Sequence, residues 1–123
     1  MKILAAVVMM ALSGLAFGAQ DNIVTWDPPM AVDLPNITET QVEVKLEACT
    51  VVPDVAAWVQ LPPVPVGTYT LTESNQPPGD YCYRAFFYNP DTGRSGVSNL
   101  AFKHVPFAQI LNPPFLHPIP QSP

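Results

Sequence analysis

The sequence predicts an all-β fold, a sandwich of two sheets with about six or seven strands. Several segments alternate apolar and polar side chains with a period of two, as half-buried strands do. Turns rich in proline and glycine separate these segments, and 16 of the 123 residues are proline. No stretch shows helical periodicity. Short strands separated by turns are typical of a sandwich.

Two strands are predicted in the first half of the chain. One contains Val24 and Trp26 on the same face and ends at Pro28, because proline cannot donate a hydrogen bond to a sheet. The other spans residues 41–49. Its inward side chains are Val42, Val44 and Leu46. A weaker strand is expected around Trp58, at residues 57–61.

The second half of the chain alternates more clearly. Residues 68–72 predict one strand, and the turn at residues 77–80 leads into the next. The inward side chains of this next strand are Tyr81, Tyr83, Ala85 and Phe87. Its outward side chains are Cys82, Arg84, Phe86 and Tyr88. A polar hairpin loop at residues 89–96 then leads to a last strand at about residues 97–103.

Residues 1–18 have the pattern of a secretory signal peptide. Lys2 supplies the positive start, an apolar run follows, and residues 16–18 form a small-residue cleavage site. The apolar run is shorter than the roughly 20 residues that a membrane-spanning helix needs. We therefore expect cleavage before Ala19, a secreted or periplasmic location, and no membrane attachment afterwards.

Cleavage would leave one domain at residues 19–104 and a tail at residues 105–123. The tail holds six of the 16 prolines and shows no alternation, so it is predicted to be extended. Four basic and ten acidic residues would remain, a net charge of −6, because Lys2 is the only charged residue removed. This acidity argues against nucleic acid or anionic lipid as a partner.

Cys49 and Cys82 are the only cysteines. An exported chain reaches an oxidising compartment, where one disulfide between them is the expected outcome. Together with His104 and His117 they lack the close spacing of zinc ligands. We therefore predict no metal site and no cofactor.

Three segments follow one another in the order and spacing of a known family, namely residues 24–29, 81–89 and 93–99. On these segments the chain resembles the fibronectin type III family, in particular its short secreted versions from bacteria and phages. The resemblance covers roughly residues 22–104. It implies an immunoglobulin-like sandwich with Trp26 in the core. It also implies that Tyr81 is the corner tyrosine, whose hydroxyl bonds to upstream backbone; an ordinary half-buried aromatic is the alternative.

The resemblance has consequences for the cysteines and for the sheet edge. In this fold the third and sixth strands are antiparallel, and the alternation then places Cys49 and Cys82 on the same face at the same end. A cross-strand disulfide is therefore expected. Trp26 follows the cleavage site so closely that little chain remains for the first strand of the family. We expect six strands, or an open edge beside the second strand.

A candidate binding surface is predicted on the outer sheet face and in the loop that follows it. It comprises Arg84, Phe86, Tyr88, Asp91 and Arg94. Exposed aromatic side chains of this kind could stack on a sugar or contact another protein. In the alternative interpretation, the apolar tail folds back and covers them.

Catalysis is not indicated. Asp91-Thr92-Gly93 matches the tripeptide of aspartic proteases, but a single copy would require a homodimer, and polar residues flank it where burying ones are needed. No G-x-S-x-G elbow surrounds Ser95. We predict that the chain is not an enzyme, an aspartic-type hydrolase being the remote alternative.

These observations predict a secreted, non-catalytic module that recognises a protein or a glycan. The alternative is a structural subunit of a surface or phage assembly. An open edge beside the second strand would favour it, because an unpaired edge invites strand addition and self-association.

Overall fold

The computed structural model describes residues 6–12, 19–107 and 114–121. Within these residues the chain forms strands and one 3₁₀ turn, Leu34–Asn36, and no helix long and apolar enough to cross a membrane. In chain order the strands are β1 (Ala6–Leu12), β2 (Gln20–Trp26), β3 (Glu39–Lys45), β4 (Val59–Gln60), β5 (Val64–Pro65), β6 (Thr70–Gln76), β7 (Gly79–Asn89), β8 (Gly93–Arg94) and β9 (Ala101–Val105).

The first sheet contains three antiparallel strands in the order β1-β2-β6. β1 pairs along the whole length of β2, from Ala6 opposite Trp26 to Leu12 opposite Gln20. β1 also lies close to β7 and β9 of the other sheet.

The second sheet is built around β3 and β7, which are antiparallel neighbours. β4 and β5 both pair with the other side of β3, and Pro62 and Pro63 lie between them. β8 and β9 both pair with the other side of β7. The described strands therefore occupy seven positions in two sheets, which confirms the predicted all-β sandwich.

The core lies between the sheets and follows the predicted alternation. Tyr81, Tyr83 and Ala85 of β7 are buried in it, and Phe87 packs against it. Val24 and Trp26 of β2 meet them, together with Val42 and Val44 of β3. Fully burying an apolar side chain such as Val stabilises a fold by about 1.5–3 kcal/mol, so this cluster contributes several such increments.

The disulfide joins Cys49 to Cys82, with their Cα atoms 5.1 Å apart. The predicted pairing is confirmed, but the strand that was expected to carry Cys49 ends at Lys45. Leu46, predicted to face the core, is 68% exposed, because the chain turns away from the sheet at that point. Lys45 lies opposite Cys82 in the sheet, and the turn that follows brings Cys49 back to it.

The last strand begins four residues later than predicted, at Ala101. Residues 95–100 run beside β7, but serine hydroxyls replace some of the backbone hydrogen bonds of a regular sheet there. Oγ of Ser95 accepts from the Phe87 amide at 2.9 Å, and Oγ of Ser98 accepts from the Ala85 amide at 2.9 Å. Regular pairing resumes only at Ala101, so the predicted range of residues 97–103 was wrong at both ends. The strand predicted at residues 68–72 spans Thr70–Gln76, and the one predicted at residues 57–61 spans Val59–Gln60.

The first strand comes from the segment predicted as a signal peptide, since β1 spans Ala6–Leu12. Cleavage of that segment stays a prediction. The described part of the tail, residues 106–107 and 114–121, has no regular structure. Its large apolar side chains are between 79% and 84% exposed, and they are Phe107, Phe115, Leu116 and Ile119.

Candidate binding surface

A ladder of stacked cations and aromatic rings covers the outer face of the second sheet. The Cζ atom of Arg84 lies 4.0 Å from the ring centre of Trp58 and 5.5 Å from that of Phe86. Cζ of Arg94 lies 4.3 Å from the ring centre of Phe86 as well. We name Trp58, Arg84, Phe86 and Arg94 the outer ladder. Each such cation–π contact contributes about 0.5–2 kcal/mol, depending on its exposure.

Glu43 holds the two arginines of the outer ladder in place. Its carboxylate accepts from Nε of Arg84 at 2.7 Å and from Nη2 of Arg94 at 3.2 Å. Glu43 lies directly opposite Arg84 in the pairing of β3 with β7, and its side chain is 11% exposed. Arg94 also donates to Gln41 at 2.7 Å and to Gln60 at 3.1 Å. The arginines are therefore fixed in one geometry.

A second ionic cluster fixes the loop of residues 46–58 beside the disulfide. Nζ of Lys45, whose side chain is 1% exposed, donates to Oδ1 of Asp54 at 2.6 Å and lies 3.5 Å from Oε2 of Glu47. Nε1 of Trp58 donates to Oδ2 of Asp54 at 2.8 Å. The hydrogen bond from Lys45 is the main reason why the pKa of Asp54 is lowered. Glu47 accepts from the amides of Ala56 and Val55, which lowers its pKa as well.

The outer ladder changes the interpretation of the predicted aromatic pair. Phe86 is only 9% exposed, since the guanidinium groups of Arg84 and Arg94 cover its ring. Tyr88 is half-buried. The prediction of an open aromatic patch was therefore wrong for Phe86. The described tail residues are exposed themselves, so they do not provide the cover either.

An open cleft lies at one end of the sandwich, between the loop from β2 to β3 and the hairpin of β7 and β8. Its volume is about 270 Å³. Among the residues that line it, Met30, Ile37 and Phe87 are apolar, whereas Asp33, Tyr88 and Arg94 bring polar groups. We name it the loop cleft. It contains two of the five residues of the predicted binding surface, Tyr88 and Arg94.

Hydrogen bonds between its two walls hold the loop cleft open in one shape. The amide and the hydroxyl of Thr38 both donate to the carbonyl of Tyr88, at 2.9 and 3.1 Å. Nδ2 of Asn89 donates to the carbonyl of Asn36 at 2.5 Å. Gly93 closes the hairpin with φ at 83°, a conformation that other residues rarely adopt. A ligand would meet walls that are already ordered.

Asp91 lies in the turn of that hairpin and is exposed. The side chain of Asn89 accepts from its amide at 2.8 Å, an arrangement typical of a turn. The Asp-Thr-Gly tripeptide therefore forms part of a surface hairpin. The described residues contain no group of three or more metal-ligating side chains close together.

The sequence matches no family model, and no curated protein matches it. Solved structures do resemble its fold. The fibronectin type III domain of the human fibronectin type III domain containing protein 3 superposes with a TM-score of 0.57 at 13% identity, over 85% of each chain. The third fibronectin III domain of the human KIAA0343 protein gives 0.56 at 10% identity, over 91% of this chain and 90% of that one.

The chain has the fibronectin type III fold. A β-sandwich protein from a computer-based redesign study resembles it too, with a TM-score of 0.51 at 16% identity over 82% of this chain and 95% of that one. At these identities the likeness concerns the fold. The two natural domains named above are human, and the comparisons lend no support to the bacterial or phage version that the sequence analysis expected.

The fibronectin type III fold gives Tyr81 and Trp26 structural positions. The hydroxyl of Tyr81 donates to the carbonyl of Pro77, four residues upstream, as a corner tyrosine does. Burial is the main cause of the raised pKa of Tyr81, and the charge of Glu73 adds to it. Trp26 is 5% exposed and lies in the core. Both residues therefore belong to the scaffold and not to the binding surface.

Sequence reasoning missed Trp58 of the outer ladder and Glu43, which pairs with its two arginines. It also missed a buried polar chain in the core: the hydroxyl of Tyr83 accepts from Nδ2 of Asn22 at 2.7 Å and donates to Oε1 of Glu73 at 2.5 Å. One signal was available for Glu43. Glu43 and Arg84 are both outward on neighbouring antiparallel strands, where opposite charges pair across the sheet.

Proposed function

We propose that this protein is exported, loses residues 1–18, and acts as a non-catalytic binding module whose ligand enters the loop cleft. The fibronectin type III fold is commonly that of an interaction module. The observation that carries the proposal is the combination of apolar and polar lining residues with walls that are hydrogen-bonded to each other. Preformed concave sites of this kind are typical of ligand binding.

The chemistry of the loop beside the loop cleft favours a protein ligand over a glycan. Met30 and Leu34 are 43% and 39% exposed. Two solvent-facing apolar side chains in one short loop suit apolar side chains of a partner protein. Asp33, Tyr88 and Arg94 would supply the directional hydrogen bonds.

The experiment compares two substitutions in the same loop. Met30→Asp places a charge inside the loop cleft, whereas Val32→Asp places the same charge on an exposed residue that does not line it. Partners captured by the exported protein should lose at least about tenfold in affinity with Met30→Asp and little with Val32→Asp, because burying an unpaired charge costs more than 1.4 kcal/mol.

Three results would count against the proposal. One is equal binding by both variants, and another is equal loss in both. The third is binding to a glycan array that Met30→Asp leaves unchanged, which would move the site away from the loop cleft and change the class of ligand.

A further inference from the structure

The strand position beside β2 is filled by residues that export would remove. β1 pairs with all seven residues of β2, and the predicted cleavage before Ala19 deletes β1 while leaving β2 whole. A mature chain would therefore carry an unpaired edge along β2. Natural proteins seldom leave such an edge open, because it binds other strands. This step rests on the export that the proposed function assumes.

The surroundings of β1 are more polar than its sequence. Gln20 and Asn22 of β2 lie opposite Leu12 and Met10, and each has a buried side-chain oxygen without a hydrogen-bond partner. The side-chain amine of Lys103 on β9 is also buried and without a partner. Only one further side-chain atom among the described residues is in this state. Each unpartnered buried group costs about 1–3 kcal/mol. The residues of β1, Ala-Val-Val-Met-Met-Ala-Leu, contain no polar side chain that could satisfy them.

The tail contains a segment that suits this position better. Residues 107–112, Phe-Ala-Gln-Ile-Leu-Asn, form a run without proline between Pro106 and Pro113. With a period of two, either face of this run presents two apolar side chains and one amide. An amide can both donate and accept, so it can partner a buried amide oxygen or an amine. Phe107, the first residue of this run, and Phe115 beyond it are 79% and 84% exposed and thus have no cover within one copy.

The direction of the strands indicates whose tail would bind. β1 ends at Leu12, opposite Gln20, and Gln20 also pairs with Gln76. β9 ends at Val105, opposite Gly79, just beyond the same turn. The chain's own tail therefore starts near the Gln20 end of β2. A strand antiparallel to β2 has to begin at the other end and finish at the Gln20 end. A strand that enters from the other end, near Trp26, has to come from another molecule.

We propose that residues 107–112 of a second copy bind antiparallel to β2 in the mature protein. Each copy then offers one tail and one edge, so the copies join head to tail. Such heterologous contacts form open chains unless the rotation closes a ring. The strand would restore the seven-position sandwich that β1 completes in the structure.

The test uses the protein exported from the full sequence, with light scattering after size exclusion over about a hundredfold range of concentration. The proposal expects an intact mass that begins at Ala19 and a series of oligomers that grows with concentration. Ile110→Pro should leave a monomer, because proline cannot donate to a sheet. Ile119→Pro changes the same residue type in the same tail outside the run, and it should assemble like the parent.

Several outcomes would overturn the proposal: a monomer at every concentration, oligomers that survive Ile110→Pro, or oligomers lost equally with Ile119→Pro. An intact mass that retains residues 1–18 would also do so, because β1 would then keep its place. Binding at the loop cleft is read separately through Met30→Asp and Val32→Asp. A monomer that still binds through the cleft therefore rejects the assembly and leaves the proposed function standing.

Discussion

Replacing Glu43 by Gln tests the ionic support of the outer ladder. The substitution keeps the shape of the side chain but removes the charge that Arg84 and Arg94 share at 2.7 and 3.2 Å. Hydrogen bonds to a charged partner contribute about 1.5–3 kcal/mol each, and a neutral amide oxygen would retain part of one of them. The arginine side chains are 28% and 33% exposed, so solvent weakens the pairs further. We expect the free energy of unfolding to fall by about 1–2 kcal/mol.

Urea unfolding followed by tryptophan fluorescence measures this change, because Trp58 belongs to the outer ladder and Trp26 reports on the core. With a slope of about 1.5 kcal/mol per molar urea, the midpoint should fall by about 1 M. Glu39→Gln is the matched control, since Glu39 lies on the same strand and its carboxylate accepts from the side-chain amide of Gln41 at 3.0 Å, with no ion pair among the described residues. A Glu43 variant within about 0.3 kcal/mol of the parent would refute the reasoning, and so would an equal loss in the Glu39 variant.

Three further predictions concern the core, the disulfide and the loop of residues 46–58. Tyr83→Phe should cost about 1–3 kcal/mol in chemical unfolding, because it leaves the buried amide of Asn22 and the half-buried carboxylate of Glu73 without their partner. Cys82→Ser should cost about 3–4 kcal/mol through loss of the disulfide, and a reducing agent should then have no further effect. Because its pKa is lowered in the folded state, Asp54 should stabilise the fold above its ordinary pKa of 3.8 and progressively less as the pH falls below it. Thermal melts at a series of pH values should show a smaller loss of stability in acid for Asp54→Asn than for the parent.

Local alternation was enough to predict the two-sheet sandwich, since it depends only on neighbouring residues. The inward and outward faces of β7 follow it from Tyr81 to Phe87. The disulfide was also predictable, because two cysteines in an oxidising compartment have one partner each. The reasoning behind its geometry failed at Leu46, where the chain leaves the sheet and alternation no longer applies.

The binding surface could be predicted only in part, because it depends on segments that are far apart in the sequence. Alternation placed Arg84 and Phe86 on the outer face, but nothing in their own strand indicates that Trp58 and Arg94 stack on them. The loop cleft is formed by two segments that hydrogen bonds from Asn89 to Asn36 and from Thr38 to Tyr88 join. Contacts of this kind require the three-dimensional arrangement of the strands.

The break between β4 and β5 determines where this sandwich can be extended. At that border of the second sheet, Pro62 and Pro63 interrupt the outermost strand, and Pro65 ends it. Three imino groups in so short a stretch leave too few amide protons for another strand to dock there. Growth by strand addition is thus blocked at the β4/β5 edge of the second sheet.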